Sequence, residues 1–264
     1  MQNIRVSLIQ IPLIWESPEE NRSVISNMIS SSKAETDVYI LPEMFTTGFT
    51  MNDEITEEFS QSSPTVSWMK SLAEKHNCAI CGSVIMTDNG ERANRFLWID
   101  PDQVVYYDKR HLWAYGDEHK FFKKGMEKRI IHFKGWKILP QICYDLRFPA
   151  FVRNEWNDGK ALYDLMIYVA NWPDARVHAW DALGLARAIE NQSYVALVNR
   201  IGRDNKDLNY VGHSALIDAN GKYILEPIHN EKGVFTSELD GEKLLRFRQR
   251  FPFLMDADNI KIEE

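Results

Sequence analysis

Apolar and polar positions alternate at the start of the chain. Ile4, Val6 and Leu8 fall on one side, which predicts a strand over Ile4–Gln10. Ser17-Pro18-Glu19-Glu20 then reads as a helix start: Ser17 caps, Pro18 suits the first turn and Glu20 completes a capping box. Val24, Ile25, Met28 and Ile29 form the apolar stripe of that helix. Val38–Leu41 is a short buried strand stopped by Pro42-Glu43, and a second helix is expected over Pro64–His76 with Val66, Met69, Leu72 and Ala73 inward. Strands follow at Ala79–Thr87 and Arg95–Ile99, joined at Asp88-Asn89-Gly90, and then at Val104–Tyr107. Residues 110–128 are charged and irregular. Ile130–Phe133 and Lys137–Ile142 make a hairpin through Lys134-Gly135. A strand at Leu165–Val169, a helix at His178–Asn191, a strand at Tyr194–Val198, a hairpin turning at Asn220-Gly221 and a helix starting near Gly241 complete the pattern. Strands separated by helices predict an α/β fold, and the hairpins make its sheets mixed.

Charge and composition narrow the partners. Lys plus Arg number 31 against 38 Asp plus Glu, a formal net charge of −7. An acidic surface disfavours nucleic acid or an anionic membrane as main partner. No apolar run approaches the roughly 20 residues of a membrane helix, since Leu162–Ala170 is broken by Asp164. The N-terminal MQNIRVSLIQIPL has no basic stretch ahead of a long apolar block, so no signal peptide is expected. The chain's 3 cysteines make no disulfide framework and point to a reducing, cytoplasmic compartment. With no repeat or linker, a single domain over residues 1–264 is expected.

Three reactive groups stand at or just past predicted strand ends: Glu43 in LPEMFTTGF, Lys109 in YYDKRHLW and Cys143 in LPQICYDLRFP. Strand ends are where α/β folds aim catalytic groups into a crevice. Taken singly, a cysteine after a strand is a small core residue and a lone glutamate or lysine is solvated. The joint pattern changes that. With GWKILP ahead of ICYDLRFP, and YVANWP, ARAIENQSYV and NR-G following in order, nearly the whole chain resembles the nitrilase, or carbon–nitrogen hydrolase, superfamily. The resemblance is nearest to its bacterial omega-amidase (2-oxoglutaramate amidase) branch.

The resemblance implies a four-layer αββα sandwich with two mixed sheets and a homodimer. The C-terminal helix and tail, about 241–264, would pack on the domain or on the partner. It also implies Glu43 as general base, Lys109 as electrostatic stabiliser, Cys143 as nucleophile and a second glutamate at Glu118, with Asp117 as the neighbouring alternative. The chemistry suits these groups. A carboxylate takes the thiol proton and returns it to leaving ammonia. A lysine ammonium and the backbone N–H of Tyr144, which follows the nucleophile, stabilise the oxyanion. Lys109 would also favour the thiolate. A thioester forms, and water then hydrolyses it. No metal or organic cofactor is called for. The expected reaction is hydrolysis of a small ω-amide, 2-oxoglutaramate or 2-oxosuccinamate-like, to a dicarboxylate and ammonia. The alternatives are an amidase or carbamoylase of the same superfamily, and a non-catalytic binding protein that has kept the fold.

Other signals carry less. His76, Cys78 and Cys81 invite a metal reading, but residues three apart in a strand face opposite ways, and packing is favoured. The run His119–Lys124 mixes bases and aromatics, yet a loop over the active site is preferred to nucleic-acid binding. Arg147 either binds a substrate carboxylate or pairs with Asp145 to hold the Cys143 turn, and the ion pair is the expectation. Phe45 and Trp172 are pocket candidates, while Asn191 and Asn199 are read as backbone supports.

Overall fold

The computed structural model describes residues 1–258, 260 and 262. The first sheet collects β1 (Ile4–Gln10), β2 (Val38–Ile40), β3 (Ala79–Asp88), β4 (Glu91–Ile99) and β5 (Val104–Asp108). The second holds β6 (Ile131–Phe133), β7 (Trp136–Ile142), β8 (Leu165–Ala170), β9 (Tyr194–Asn199), β10 (Ile201–Arg203), β11 (Asn209–Ile217) and β12 (Tyr223–His229). The chain then returns through β13 (Gly233–Leu239) to the edge of the first sheet, beside β1, giving the order β13-β1-β2-β3-β4-β5. In the second sheet the order is β10-β11-β9-β8-β7-β6, with β12 on β11. Parallel β1-β2-β3 and β7-β8-β9 carry antiparallel neighbours, so both sheets are mixed.

Four layers follow from which side chains are apolar on both strand faces. Val6, Leu8, Cys81 and Trp98 of the first sheet pack with Ile138, Ile142 and Val198 of the second. On the outer face Ile9, Ile80, Val84 and Leu97 meet Ile25 and Ile29 of α1 (Pro18–Ser31) and Val66 and Met69 of α2 (Pro64–His76). The second sheet is covered by α3 (Val177–Asn191), through Trp180 and Ala188, and by Leu244 of α4 (Gly241–Arg250). Gly184 allows α3 to lie close, because a Cβ there would stand 2.5 Å from Leu197 Cδ1. This is the αββα sandwich that the resemblance implies. Cys78 sits on the helix side of the first sheet and Cys81 on its inner side, so the two thiols face apart.

Two of the three expected hairpins form with two-residue turns, and the one at Asn220-Gly221 has a longer connection between Ile217 and Tyr223. Asn89-Gly90 (φ 51° and 80°) and Lys134-Gly135 (φ 47° and 80°) both hold the left-handed conformation that such tight connections need. The expected capping box does not: Ser17 is the N-cap of α1, but its side chain makes no capping bond. Among strands of three or more residues, two are additional to the pattern, β10 and β13, and the two-residue strands Glu57–Glu58, Trp156–Asn157 and Lys160–Ala161 are additional as well. The half-buried GVFTSEL of β13 gives little alternation to read. At α4 the Asp240 side chain caps Lys243 N at 2.8 Å. Its buried Arg248 pairs with Asp164 at 2.6 Å and donates to the Gln192 and Tyr163 carbonyls, so the helix packs on its own chain. Of the expected tail, residues 259, 261, 263 and 264 lie outside the described residues.

Candidate active site

Four polar residues leave four strand ends at the same edge of the sandwich. Glu43 follows β2 after Leu41-Pro42, Lys109 follows β5, Cys143 follows β7 and Asn171 follows β8. Two strands belong to each sheet, so the site bridges the layers. Met44, next to Glu43, and Cys143 both hold positive φ, at 45° each. That conformation is uncommon outside glycine and persists where the surroundings enforce it.

Asp145 supplies the enforcement at Cys143. Fully buried, it accepts from Ile142 N at 3.0 Å, Tyr107 Oη at 2.8 Å and His111 N at 3.0 Å, with His111 Nδ1 at 2.7 Å. The nucleophile's turn is thereby tied to the segments on either side of Lys109. The expected Asp145–Arg147 ion pair is therefore absent: Asp145 is occupied, and Arg147 turns to the cavity instead.

Lys109 is fully buried between two fully buried carboxylates. Its Nζ donates to Glu43 Oε1 at 2.8 Å and to both oxygens of Glu118 at 2.9 Å. Asn94 Nδ2 also bridges the pair, at 2.9 Å to Glu43 and 3.1 Å to Glu118. Asn171 N donates to Glu43 Oε2 at 2.8 Å, and Trp113 N to Glu118 Oε2 at 2.7 Å. Asp117, by contrast, is exposed and bonds Lys120 at 2.9 Å, which separates it from Glu118.

The electrostatics follow from burial. Desolvation pushes the Cys143 thiol well up, the Glu43 charge adds to this, and Lys109 only partly opposes it. Lys109 lowers the thiol, the direction expected of it, but burial and two carboxylates outweigh one ammonium. Desolvation by itself would lower Lys109, but Glu118 and Glu43 hold its ammonium above the ordinary lysine value. Glu118 is raised by burial and by Glu43, against the pull of Lys109.

A cavity of about 390 Å³ opens beside Cys143, lined by Lys109, Tyr144, Asn171 and Trp172 together with Phe49, Trp113, Tyr115, Arg147 and Arg176. Phe45 is not among these. It is fully buried under the first sheet against Trp68, and Phe49 takes the place expected for it. Tyr144 lies in the first turn of the 3₁₀ helix Cys143–Arg147, where backbone N–H groups lack helical acceptors. Of the run His119–Lys124 only Phe122 is buried, against Met44 and Phe49, and the rest is exposed; it is the segment ahead of the run that reaches the cavity, through Trp113 and Tyr115, with Glu118 inward. Asn199 braces Trp172 through bonds to its N and O, and Asn191 braces Asn154 and Arg187, as the backbone-support reading expects. Three cavity or cluster residues, Asn94, Phe49 and Arg176, were not singled out from sequence. Asn94 and Arg176 sit in a strand and a helical turn outside the quoted motifs; Phe49 ends LPEMFTTGF, but nothing in the motif marked it as a cavity residue.

Comparison with known proteins fits this arrangement. The family described as "Carbon-nitrogen hydrolase" matches residues 5–249. Omega-amidase YafV of Escherichia coli K12 is 40% identical over 263 residues, 99% of this chain and 100% of that protein. The 2-oxoglutaramate amidase of Bacillus subtilis strain 168 is 33% identical, with 95% and 96% covered. XC1258 of Xanthomonas campestris, described as a CN-hydrolase superfamily protein with an arsenic adduct in its active site, is 40% identical, with full coverage of both chains and a TM-score of 0.95.

Proposed function

The chain belongs to the carbon–nitrogen hydrolase family and hydrolyses amides, and we propose that its substrate is a small ω-amide of the 2-oxoglutaramate type, cleaved through a Cys143 thioester. The observation that carries this reading is the buried Glu43–Lys109–Glu118 cluster set against Cys143 at the cavity floor. The relatives named for omega-amidase and 2-oxoglutaramate amidase activity support the substrate class.

In this mechanism Cys143 rests as a thiol, so Glu43 takes its proton as sulfur attacks the amide carbon. Lys109 and the Tyr144 N–H stabilise the oxyanion. Glu43 returns the proton to the amide nitrogen and ammonia leaves. Glu43 then activates a water that Glu118 positions, and the thioester is hydrolysed to a carboxylate. Every group in the sequence comes from the chain itself, so the reading requires no metal or organic cofactor. A cytoplasmic homodimer belongs to the same proposal, supported by the odd cysteine count and by the exposed Phe253 and Met255 beyond α4.

The test is ammonia release from 2-oxoglutaramate, with mass spectrometry of quenched enzyme. The parent should carry an acyl adduct on Cys143. Cys143→Ala should lose both adduct and turnover, whereas Cys78→Ala and Cys81→Ala should retain activity. Ammonia release by Cys143→Ala at the parental rate would reject the mechanism.

A further inference from the structure

Away from the Cys143 cavity, three titratable side chains from three elements meet in one line. They are Asp181 of α3, His213 of β11 and His229 at the end of β12. His213 Nδ1 lies 2.8 Å from Asp181 Oδ2, and His213 Nε2 lies 3.0 Å from His229 Nδ1. None of the three lines the cavity. The fold builds this meeting. The register between β11 and β12 shifts between Gly212 and Ser214, with His229 opposite Gly212. His213 occupies that irregularity with φ 61°, and a bulge re-aims the side chain it carries. Gly212 is required beside it, since a Cβ there would stand 2.2 Å from Gln10 Oε1. Trp180 of α3 donates from Nε1 to the His213 carbonyl at 2.9 Å, so helix and bulge are fastened twice.

A carboxylate only accepts, so the bond to Asp181 places the proton of neutral His213 on Nδ1 and leaves a lone pair on Nε2. His229 donates its Nδ1 proton into that lone pair. One proton is all that lies between the two imidazole nitrogens. Moving it to Nε2 of His229 leaves two lone pairs converging. The Asp181–His213 bond is then the outer carboxylate that orients a metal-bound histidine. The distance agrees: with zinc–nitrogen bonds of about 2.0–2.1 Å, nitrogens 3.0 Å apart subtend about 90–100° at the metal. Spreading them by a few tenths of an ångström gives the tetrahedral angle. The rings cross at 74°, so neither covers the other's edge, and His229 is exposed to solvent. We propose that His213 and His229 bind a divalent transition-metal ion of the zinc class, with Asp181 orienting His213 and water filling the other positions. Among the described residues no three ligating side chains form a metal site, so the protein supplies two nitrogens. Imidazole suits this class of ion, whereas magnesium and calcium take oxygen ligands. The bound ion ties β12 to β11 and, through Asp181, to α3.

The experiment titrates Zn²⁺ by calorimetry into Cys143→Ala, which lacks the cavity thiol that would compete for the metal. His213→Asn, His229→Gln and Asp181→Asn are each added to it. Asparagine tolerates the positive φ at position 213, and melting curves without metal check every fold. Should His213→Asn melt early, the exposed His229→Gln decides alone. Zinc should bind and raise the melting temperature, and Mg²⁺ should do neither. Each histidine variant should lose that binding step and its melting shift. Asp181→Asn should keep the step about 10- to 100-fold weaker, as expected for removing the carboxylate behind a metal-bound histidine. Cu²⁺ in place of zinc should show hyperfine splitting from two nitrogens in electron paramagnetic resonance, and His229→Gln should lose that pattern. No zinc binding, or zinc binding undiminished in folded His229→Gln, overturns the site. Equal affinity for Zn²⁺ and Mg²⁺ overturns the ligand class, and undiminished affinity in Asp181→Asn overturns the part given to Asp181.

Discussion

In the mechanism proposed for Cys143, a thiol held above its ordinary pKa attacks as its proton leaves, and this sets the roles proposed for the residues around it. That mechanism couples attack to proton removal, so Glu43 and Lys109 would act on different parts of one step. Their opposite charges also act oppositely on the thiol: Glu43 raises it and Lys109 lowers it, with burial the larger cause. In Lys109→Met, alkylation of Cys143 should therefore require higher pH than in the parent. In Glu43→Gln it should proceed at lower pH, because a negative neighbour of the thiol has gone. Both variants should nevertheless lose turnover, by about 10²- to 10³-fold for the missing oxyanion donor and by about 10²- to 10⁴-fold for the missing base. The pH profile of iodoacetamide labelling, run beside ammonia release, reads both effects. Profiles that shift together, or turnover near the parental rate in either variant, would detach these residues from the roles assigned to them. The residues of the proposed site were legible in sequence because LPEMFTTGF, DKRHL and ICYDLRFP occur together and in order. Asn94 was not, since a lone asparagine inside a strand gives no hint that its amide will bridge two carboxylates.

Elements place these residues by ending where they do. β2, β5, β7 and β8 stop at one edge, and Asp145 fastens the turn after β7 to the segment after β5. Most of these strands and the helices α1 to α4 could be read from period-two and period-3.6 patterns, because their apolar faces are continuous. β13 could not: its pairing with β1, from Ile4 opposite Leu239 to Gln10 opposite Gly233, joins segments at the two ends of the chain. The helical turns within residues 110–128 were also hidden, since Glu118 is buried by Lys109 and not by any apolar repeat. α4 is held by a charge that sequence likewise does not advertise. Arg248 is 4% exposed, and its bonds to Asp164, Gln192 and Tyr163 anchor the helix to the start of β8 and to the connection ahead of β9. Removing one member of a buried pair strands the other, at a cost of about 3–5 kcal/mol. Arg248→Met should lower the urea midpoint accordingly, and Arg248→Met combined with Asp164→Asn should recover part of the loss. A single variant as stable as the parent would show that α4 is held by Leu244 and its apolar contacts alone.

At the scale of the whole molecule, the groups buried for packing and catalysis give stability a common dependence on alkaline pH. Burial raises the thiols of Cys81 and Cys143 well above their usual value and that of Cys78 to about 12. It likewise raises the phenols of Tyr107 and Tyr163, and that of Tyr194 to about 12. Unfolding returns these groups to ordinary values, near about 8.5 for a thiol and 10 for a phenol. Above those values the unfolded chain has released protons that the native one keeps. The native state then binds more protons than the unfolded state, so unfolding free energy falls as pH rises. Lys109 has the same sign, its contribution being present below the ordinary lysine value and lost as pH climbs through the raised one. Each retained proton contributes about 1.4 kcal/mol per pH unit, and the three thiols together about 4. Against a total of roughly 5–15 kcal/mol for a folded protein, this is a large slope. Urea midpoints should therefore hold steady up to about pH 8 and decline steeply from about pH 9 to 10.5. Cys81 lies wholly inside the sandwich, so Cys81→Ala should lose stability at neutral pH yet show an alkaline slope shallower by close to one proton. A parent whose midpoint does not change from pH 8 to 10.5, or a Cys81→Ala variant with an undiminished slope, would mean that the buried thiols do not govern the alkaline limit of this fold.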